Sequence, residues 1–455
     1  MTRATGSGLS LLIDNRGFRT LWLARTTSYL GDVITATAVV LYLYEIGATP
    51  TELGLALAAK ALPQGLGPVT GTLADRWDPR RIMIAADLIR FGTVGLIAVT
   101  LPPFPVLLAL ILLTSTLTTC FLPAGKSCVP RLVERSGLVQ ANSLLGLSHN
   151  VALAVGPVVG AVLIQAAGAR AAFALDAASY LLSALVLFFL PPVGGGPGAA
   201  GRTTRFVADL TAGLRYVAGH AVARAVALSL FLGVFFAAWD SVGLVFLIKD
   251  DHGGTDTWVG VATGGYGLAM VLVPLLLALT RWQPPGPRLL LIGLCCSALG
   301  LIAVGVAGQL ILIVLLYTIA GAGNGLENIA TDTAIGQNVD SDKLGRVFGA
   351  IYGPVFLAET AAYLISGPLL EATSPAGVFL IAGIGLLGVA AVAWWLLRRA
   401  ERPPPYPRPR PPRRIDPPAG VGTAQSGGPS SPPPPTPPET AIPARSPDQS
   451  STPIR

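Results

Sequence analysis

The sequence predicts an all-α polytopic membrane protein with twelve transmembrane helices in two related six-helix halves. Three observations predict it. Apolar runs long enough to cross a bilayer follow one another from residue 20 to residue 397. Charged residues make up only 12% of the chain, about half the share of an ordinary soluble domain, and the mean hydropathy is +0.63. Positive charge collects in alternate gaps between the runs, where orientation signals belong.

A helix needs about 20 apolar residues to span the ~30 Å hydrocarbon core. Such runs cover 20–45, 52–74, 82–101, 106–125, 138–166, 172–191, 224–248, 257–280, 289–308, 310–335, 346–369 and 376–397. Arginines precede run 1 (Arg3, Arg16, Arg19), and basic residues follow runs 2, 4, 6, 8, 10 and 12. The opposite gaps hold mostly acids, among them Glu45, Glu52, Asp250, Asp251, Asp256 and Glu371. This asymmetry predicts both termini in the cytoplasm and supports an even helix count. The net charge of +7 is therefore a matter of topology rather than of nucleic acid. No cleavable signal peptide is read in the first 20 residues, so run 1 is expected to act as the targeting signal. Cys120, Cys128, Cys295 and Cys296 lack metal-ligand spacing, and no metal site is expected.

Four regions follow. Residues 1–191 form the first six-helix half. Residues 192–223 form a cytoplasmic linker, Gly- and Pro-rich at first and then a basic amphipathic segment around 203–216 suited to the inner membrane surface. Residues 224–397 form the second half, and 398–455 a Pro-rich cytoplasmic tail expected to be disordered. The halves echo each other at a separation of roughly 205 to 208 residues, as transporter repeats do. Arg76-Trp77 returns as Arg281-Trp282, Val133-Glu134 as Val339-Asp340, and Leu30-Gly31-Asp32 as Ala238-Trp239-Asp240.

Certain stretches together resemble one family. Gly71-Thr72-Leu73-Ala74-Asp75-Arg76-Trp77-Asp78-Pro79-Arg80-Arg81 is similar to the loop between helices 2 and 3 of the major facilitator superfamily. Asn15, Phe18-Arg19 and Leu21-Trp22-Leu23-Ala24, then Gly31-Asp32, Pro130, Leu132-Val133, Ala141-Asn142 and Gly345-Arg346-Val347-Phe348 add to it. The set resembles the drug and siderophore exporter branch over about residues 14–400. Pro79 stands where that branch usually has another basic residue, and Thr280 stands where the second-half loop would repeat Asp75.

The resemblance implies a major facilitator fold and a cytoplasmic gate made by Gly71, Asp75, Arg76, Asp78, Arg80, Arg81 and Arg346, with Asp75 meeting the start of helix 11. A carboxylate gains about 0.3–1 kcal/mol at a helix N-terminus, which suits that placement. It also implies an antiporter-like motif in run 5, at Gly146, Gly156, Pro157 and Gly160. Glycines there would let two helices approach closely, and the proline would permit a bend.

Charges inside the runs are the other candidates, because an intramembrane carboxylate costs at least ~2.5 kcal/mol without a cavity or a partner. Asp32 and Asp240 occupy similar places in the two halves and, in the implied fold, would face each other across the central cavity. They, with Glu327 and Glu359, are candidates for proton coupling or substrate contact. Arg25 or Lys60 would be the partner of Asp32 if it is merely paired. Lys60 would neutralise an acid or bind an anion. Asp87 and Arg90 read as a local ion pair. His149 would shuttle protons, contact substrate or bond to a neighbouring helix, and Trp239 would stack on substrate or pack.

No catalytic set is visible, so no enzyme is expected. Ala124-Gly125-Lys126-Ser127 lacks the first glycine of a nucleotide-binding loop, because Cys120 stands there. The expectation is therefore a monomeric secondary transporter of the inner or plasma membrane, free of cofactors, ATP and nucleic acid. It would use a proton gradient to export an amphipathic small molecule. An uptake permease of the same fold is one alternative; a non-transporting sensor or scaffold acting through its tail is another.

Overall fold

A computed structural model describes residues 8–66, 77–192, 202–280, 284–339 and 343–400. Fourteen α-helices run through them: α1 (Gly8–Asp14), α2 (Arg16–Glu45), α3 (Pro50–Ala61), α4 (Pro79–Thr100), α5 (Phe104–Leu132), α6 (Leu138–Leu187), α7 (Arg202–Gly219), α8 (Ala221–Ala237), α9 (Asp240–Phe246), α10 (Asp256–Leu279), α11 (Gly286–Gly305), α12 (Leu310–Asn338), α13 (Leu344–Ala372) and α14 (Pro375–Ala400). Among the described residues, ten helical segments are long and apolar enough to cross a membrane.

Two refinements bring that count to the twelve expected crossings. The 50 residues of α6 would run about 75 Å as one helix, more than twice the hydrocarbon core. They are two limbs joined at Gly168, where φ is 77° and ψ is 170°. That left-handed φ suits glycine and is costly for other residues. The second refinement is α3, which continues as a 3₁₀ turn over Leu62–Leu66 and whose predicted remainder lies outside the described residues. Run 7 proves interrupted: α8 and α9 are separated at Ala238 and Trp239, where Phe235, Phe236 and Trp239 pack edge-on.

Local chemistry explains the helix starts. The Asn15 side chain accepts from the Phe18 amide at 2.9 Å and begins α2. Thr49 and Glu52 form a reciprocal capping box with Pro50 at the first position of α3. Asp78 caps α4 by accepting from the Arg80 amide at 3.0 Å, with Pro79 next to it. The departure at Pro79 thus has a structural use, since its missing N–H costs nothing at a first helical position. Asp78→Ala is expected to lower stability by about 1 kcal/mol, read as a lower melting temperature of the detergent-solubilised protein.

In the first six crossings, α2 and α4 pack on α6, and α5 packs on α4. In the second six, α11 packs on α12 and α14, and α14 on α8. Among the described residues, the two most extensive contacts between the sets are α6 against α10, and α3 against α13. The predicted amphipathic segment is α7, which packs on α13 with Val217 buried.

Helix packing inside a membrane relies on close contact rather than on hydrophobic burial. The α6–α10 contact shows how close. A Cβ added to Gly264 would lie 2.6 Å from Val158 Cγ2 and 2.7 Å from the Ala154 carbonyl oxygen. Of the predicted run 5 motif, a Cβ added to Gly156 would meet Val33 and one added to Gly160 the Ile34 carbonyl, both on α2, while one added to Gly146 would meet no other helix within 4 Å. The run 5 glycines therefore pack within the first six crossings; the α6–α10 contact uses Gly260, Gly264 and Gly267 of α10, and the α3–α13 contact uses Gly54 and Gly367.

Candidate functional site

The α2 helix places Asp32 beside a cluster built by two other helices. Asp87 and Arg90 are one turn apart on α4, and Asp176, Tyr180 and Ser183 recur on one face of the second limb of α6. Gly31 allows the approach, because a side chain there would collide with Asp176 and Ser179. Arg90 is at the centre and fully buried. It pairs with Asp87, lies 3.7 Å from Asp32 Oδ2, and reaches Thr118 Oγ1 at 3.4 Å. Its guanidinium carbon lies 4.5 Å from the ring centres of both Phe121 and Tyr180, a desolvated cation–π arrangement. The Tyr180 hydroxyl donates to Asp32, Ser183 donates to Asp87 at 2.6 Å, and Ser179 donates to Asp176 at 3.2 Å.

Two carboxylates thus contact one guanidinium, and a third, Asp176, lies within its electrostatic reach. Asp87 and Asp176 are fully buried, and only Asp32, 22% exposed, opens toward solvent. Buried charges persist only when paired and hydrogen-bonded; Asp32 and Asp87 meet both conditions, while Asp176 Oδ2 and Arg90 Nε are buried without a hydrogen-bond partner among the described residues. The Asp87–Arg90 ion pair expected from sequence exists as part of this larger assembly. The partner of Asp32 is Arg90, not Arg25 or Lys60. Asp176 was missed by the sequence reading, although an aspartate within run 6 meets the same criterion that flagged Asp32.

Asp32 also lines a pocket between α2, α5 and the first limb of α6, with Arg25, Thr26, Ser28, Tyr29, Phe121 and His149. The Tyr29 hydroxyl and His149 Nε2 are hydrogen-bonded at 3.1 Å, and their rings lie 4.2 Å apart. His149 thus makes the inter-helix bond that was one of its readings, at the pocket wall.

Asp32 and Asp240 have different surroundings. Asp240 is buried at the start of α9 and accepts from Ser241 at 3.1 Å, with the Tyr317 hydroxyl close by. Its described neighbours are hydroxyls, where those of Asp32 include a cation. Trp239 is 5% exposed and packed against Phe235 and Phe236, which closes it to stacking on a ligand in this conformation. Glu327 turns to α11, accepting from Ser297 at 2.6 Å. Glu359 accepts from Tyr363 at 3.1 Å. Lys60 is half-buried and within electrostatic reach of Asp32, Asp176 and Glu359.

Of the expected gate, Gly71, Asp75 and Arg76 lie outside the described residues, and so do Arg281 and Trp282 of the second-half loop. Only the backbone of Arg346 is described, in α13. Arg81 is exposed. Arg80 donates to the Leu187 and Phe188 carbonyls at 3.1 and 2.5 Å, capping the C-terminal end of α6 as a cation does. At the opposite end of the bundle, three polar contacts tie the two sets of crossings together. Tyr44 donates to Asp250, the Thr51 amide donates to Glu371 at 3.1 Å, and the Thr257 hydroxyl donates to Gln165 at 2.6 Å. Lys249 adds to the first, sitting 4.5 Å from the Tyr44 ring centre while paired with Asp256. That end, away from the termini, is held shut.

Paired crossing interfaces, a shut end and an intramembrane charge cluster define a polytopic transport protein. The family model for transmembrane secretion effectors (MFS_3) matches residues 7–405, and the chain belongs to that family of major facilitator transporters. It is 27% identical to the uncharacterized MFS-type transporter YfiS of Bacillus subtilis (strain 168) over 391 residues, covering 84% of this chain and 93% of the relative. It is 26% identical to the enterobactin exporter EntS of Citrobacter koseri over 420 residues, covering 88% and 97%. Among solved structures, a POT family transporter in complex with a thioalcohol conjugated peptide superposes with a TM-score of 0.67 at 14% identity, covering 85% of this chain and 97% of its own. The nucleoside transporter NupG gives 0.66 at 15%, covering 84% and 99%. These structural likenesses show the fold alone.

Proposed function

We propose that the chain is a proton-coupled exporter of amphipathic small molecules, working as a monomer in the cell membrane by alternating access, without ATP. One observation carries the reading. Asp32 belongs at once to the buried charge cluster and to the wall of the pocket. A proton arriving at Asp32 would change its bonds to Arg90 and Tyr180 and the charge that a substrate meets. The groups facing it are Asp87 and Arg90 from α4, Asp176 and Tyr180 from α6, and Lys60 from α3. A coupling residue needs such a double membership, since a ligand shifts a conformational equilibrium only through differential interaction with its states.

The charge asymmetry of the loops orients the termini toward the cytoplasm, so the end held shut would be the extracellular one and the conformation inward-facing. The relatives named as exporters support the outward direction. The test is efflux from proteoliposomes under an imposed pH gradient, with N-phenyl-1-naphthylamine and 8-anilinonaphthalene-1-sulfonate as reporters. Asp32→Asn is expected to lower gradient-driven flux by about 5- to 150-fold, the range of ordinary coupling energies, while gradient-independent exchange persists. Undiminished gradient-driven flux would refute the role of Asp32.

A further inference from the structure

The pocket beside Asp32 contains a cation that the charge cluster does not use. Arg25 lines it, half-buried, with no ion pair or hydrogen bond among the described residues. Its aliphatic portion and Nε run alongside Gly125, within 3.1 to 3.3 Å of where a Cβ on that glycine would sit. A guanidinium stays charged at any physiological pH and presents a planar fork of donors matched to a carboxylate or sulfonate. Two hydroxyls that line the same pocket, Thr26 Oγ1 and Ser28 Oγ, are buried without a protein hydrogen-bond partner, and Ser28 is only 1% exposed. Buried hydroxyls are ordinarily satisfied. The one carboxylate in the lining, Asp32, is already engaged by Arg90 and Tyr180. Lys126 adds positive charge close enough to act on His149.

The remaining wall is apolar and aromatic: Phe121, Leu122, Leu145 and the stacked Tyr29–His149 pair. The cavity measures about 50 Å³, whereas a whole drug-sized ligand takes about 300–1,000 Å³. It therefore has room for one functional group, and the rest of a ligand would extend beyond it.

We infer that this pocket anchors the anionic group of an amphipathic aromatic substrate, with Arg25 as its counter-charge and Thr26 and Ser28 as hydroxyl donors. The inference rests on the transport reading above and narrows it to a substrate class: an aromatic molecule carrying a carboxylate or sulfonate.

The experiment uses the full chain in phosphatidylcholine nanodiscs and two probes that share one ring system. 8-Anilinonaphthalene-1-sulfonate carries an anion; N-phenyl-1-naphthylamine does not. Wild type is expected to bind the sulfonate saturably. Arg25→Gln is expected to weaken that binding about ten- to a hundredfold, as loss of a charge-assisted contact does, with little change for the neutral probe. Arg25→Lys is expected to fall between the two. The paired change Thr26→Val with Ser28→Ala keeps the guanidinium and is expected to weaken the sulfonate alone, which provides a second reading should Arg25→Gln fail to fold. No saturable sulfonate binding, or equal affinity for both probes in wild type and variants, would overturn the proposal. Adding phosphatidylglycerol to the nanodiscs separates the sources of the anion: undisturbed sulfonate binding supports a diffusing substrate, and competitive displacement assigns the site to a lipid headgroup and overturns the substrate assignment. Intact probe discrimination without pH-driven flux would refute the transport reading and leave the anion site standing.

Discussion

Arg90→Met is expected to cost about 3–5 kcal/mol of stability, the usual consequence of removing one partner from a buried ion pair, and to abolish proton-driven flux. The magnitude follows from what the substitution leaves behind. Asp87 and Asp176 are fully buried, and Asp32 is 22% exposed. Without the guanidinium, all three carboxylates remain, with hydroxyl donors from Ser183, Ser179 and Tyr180 but no central cation. The sign can be tested separately from the size. Adding Asp87→Asn to Arg90→Met is expected to restore part of the lost stability, because it removes one uncompensated charge. Apparent melting temperatures of wild type, the two single variants and the double variant in detergent would close the cycle. A double variant less stable than Arg90→Met alone would show that Arg90 does not hold the carboxylates.

What could be read from the sequence divides along the range of the interactions involved. Helix spans were legible because apolar length is a local property, and helix starts because Asn15, Thr49 and Asp78 cap through bonds two or three residues away. The kink at Gly168 was anticipated only as a gap between runs 5 and 6. The break at Ala238–Trp239 was not anticipated, since Ala237-Ala238-Trp239-Asp240 holds neither a proline nor a glycine.

The cluster itself lay beyond local reasoning. Asp32 and Arg90 are 58 residues apart on helices whose facing sides a single sequence does not reveal, so the nearer cations Arg25 and Lys60 were the natural candidates. Once Arg90 takes Asp32, Arg25 is left to the pocket, which changes its meaning from structural partner to ligand-facing charge. The half-chain echo sets Asp32 beside Asp240, but their surroundings differ in chemistry. Asp32 meets a guanidinium and a phenol, while Asp240 meets Ser241 and the Tyr317 hydroxyl. Repeated backbone positions thus carry unequal electrostatics, and the proposed coupling role falls on the first set of crossings alone. The stretch 71–81, the strongest motif in the sequence, contributes Asp78 and Arg80 as caps of α4 and α6.

Gly264→Leu is expected to shift the protein away from the conformation described here. Even the Cβ of that side chain would lie 2.7 Å from the Ala154 backbone oxygen and 2.6 Å from Val158 Cγ2, and a backbone oxygen inside a helix cannot rotate away. The α10 helix must then move off α6. Overpacking of this kind costs about 1–3 kcal/mol, and each 1.4 kcal/mol shifts a two-state equilibrium about tenfold. The nearby Gln165–Thr257 bond joins the same two helices at the shut end, so it should break first. The measurement is thiol labelling from outside the cell of an Ala161→Cys reporter, a position fully buried against α10, in a chain whose four native cysteines are replaced by serine. Labelling is expected to rise about tenfold in the Gly264→Leu background if the strain falls mainly on the closed end. Unchanged labelling would mean that α6 and α10 cross equally closely in both conformations, and the hinge of the transport cycle would then have to lie at the other crossing, between α3 and α13.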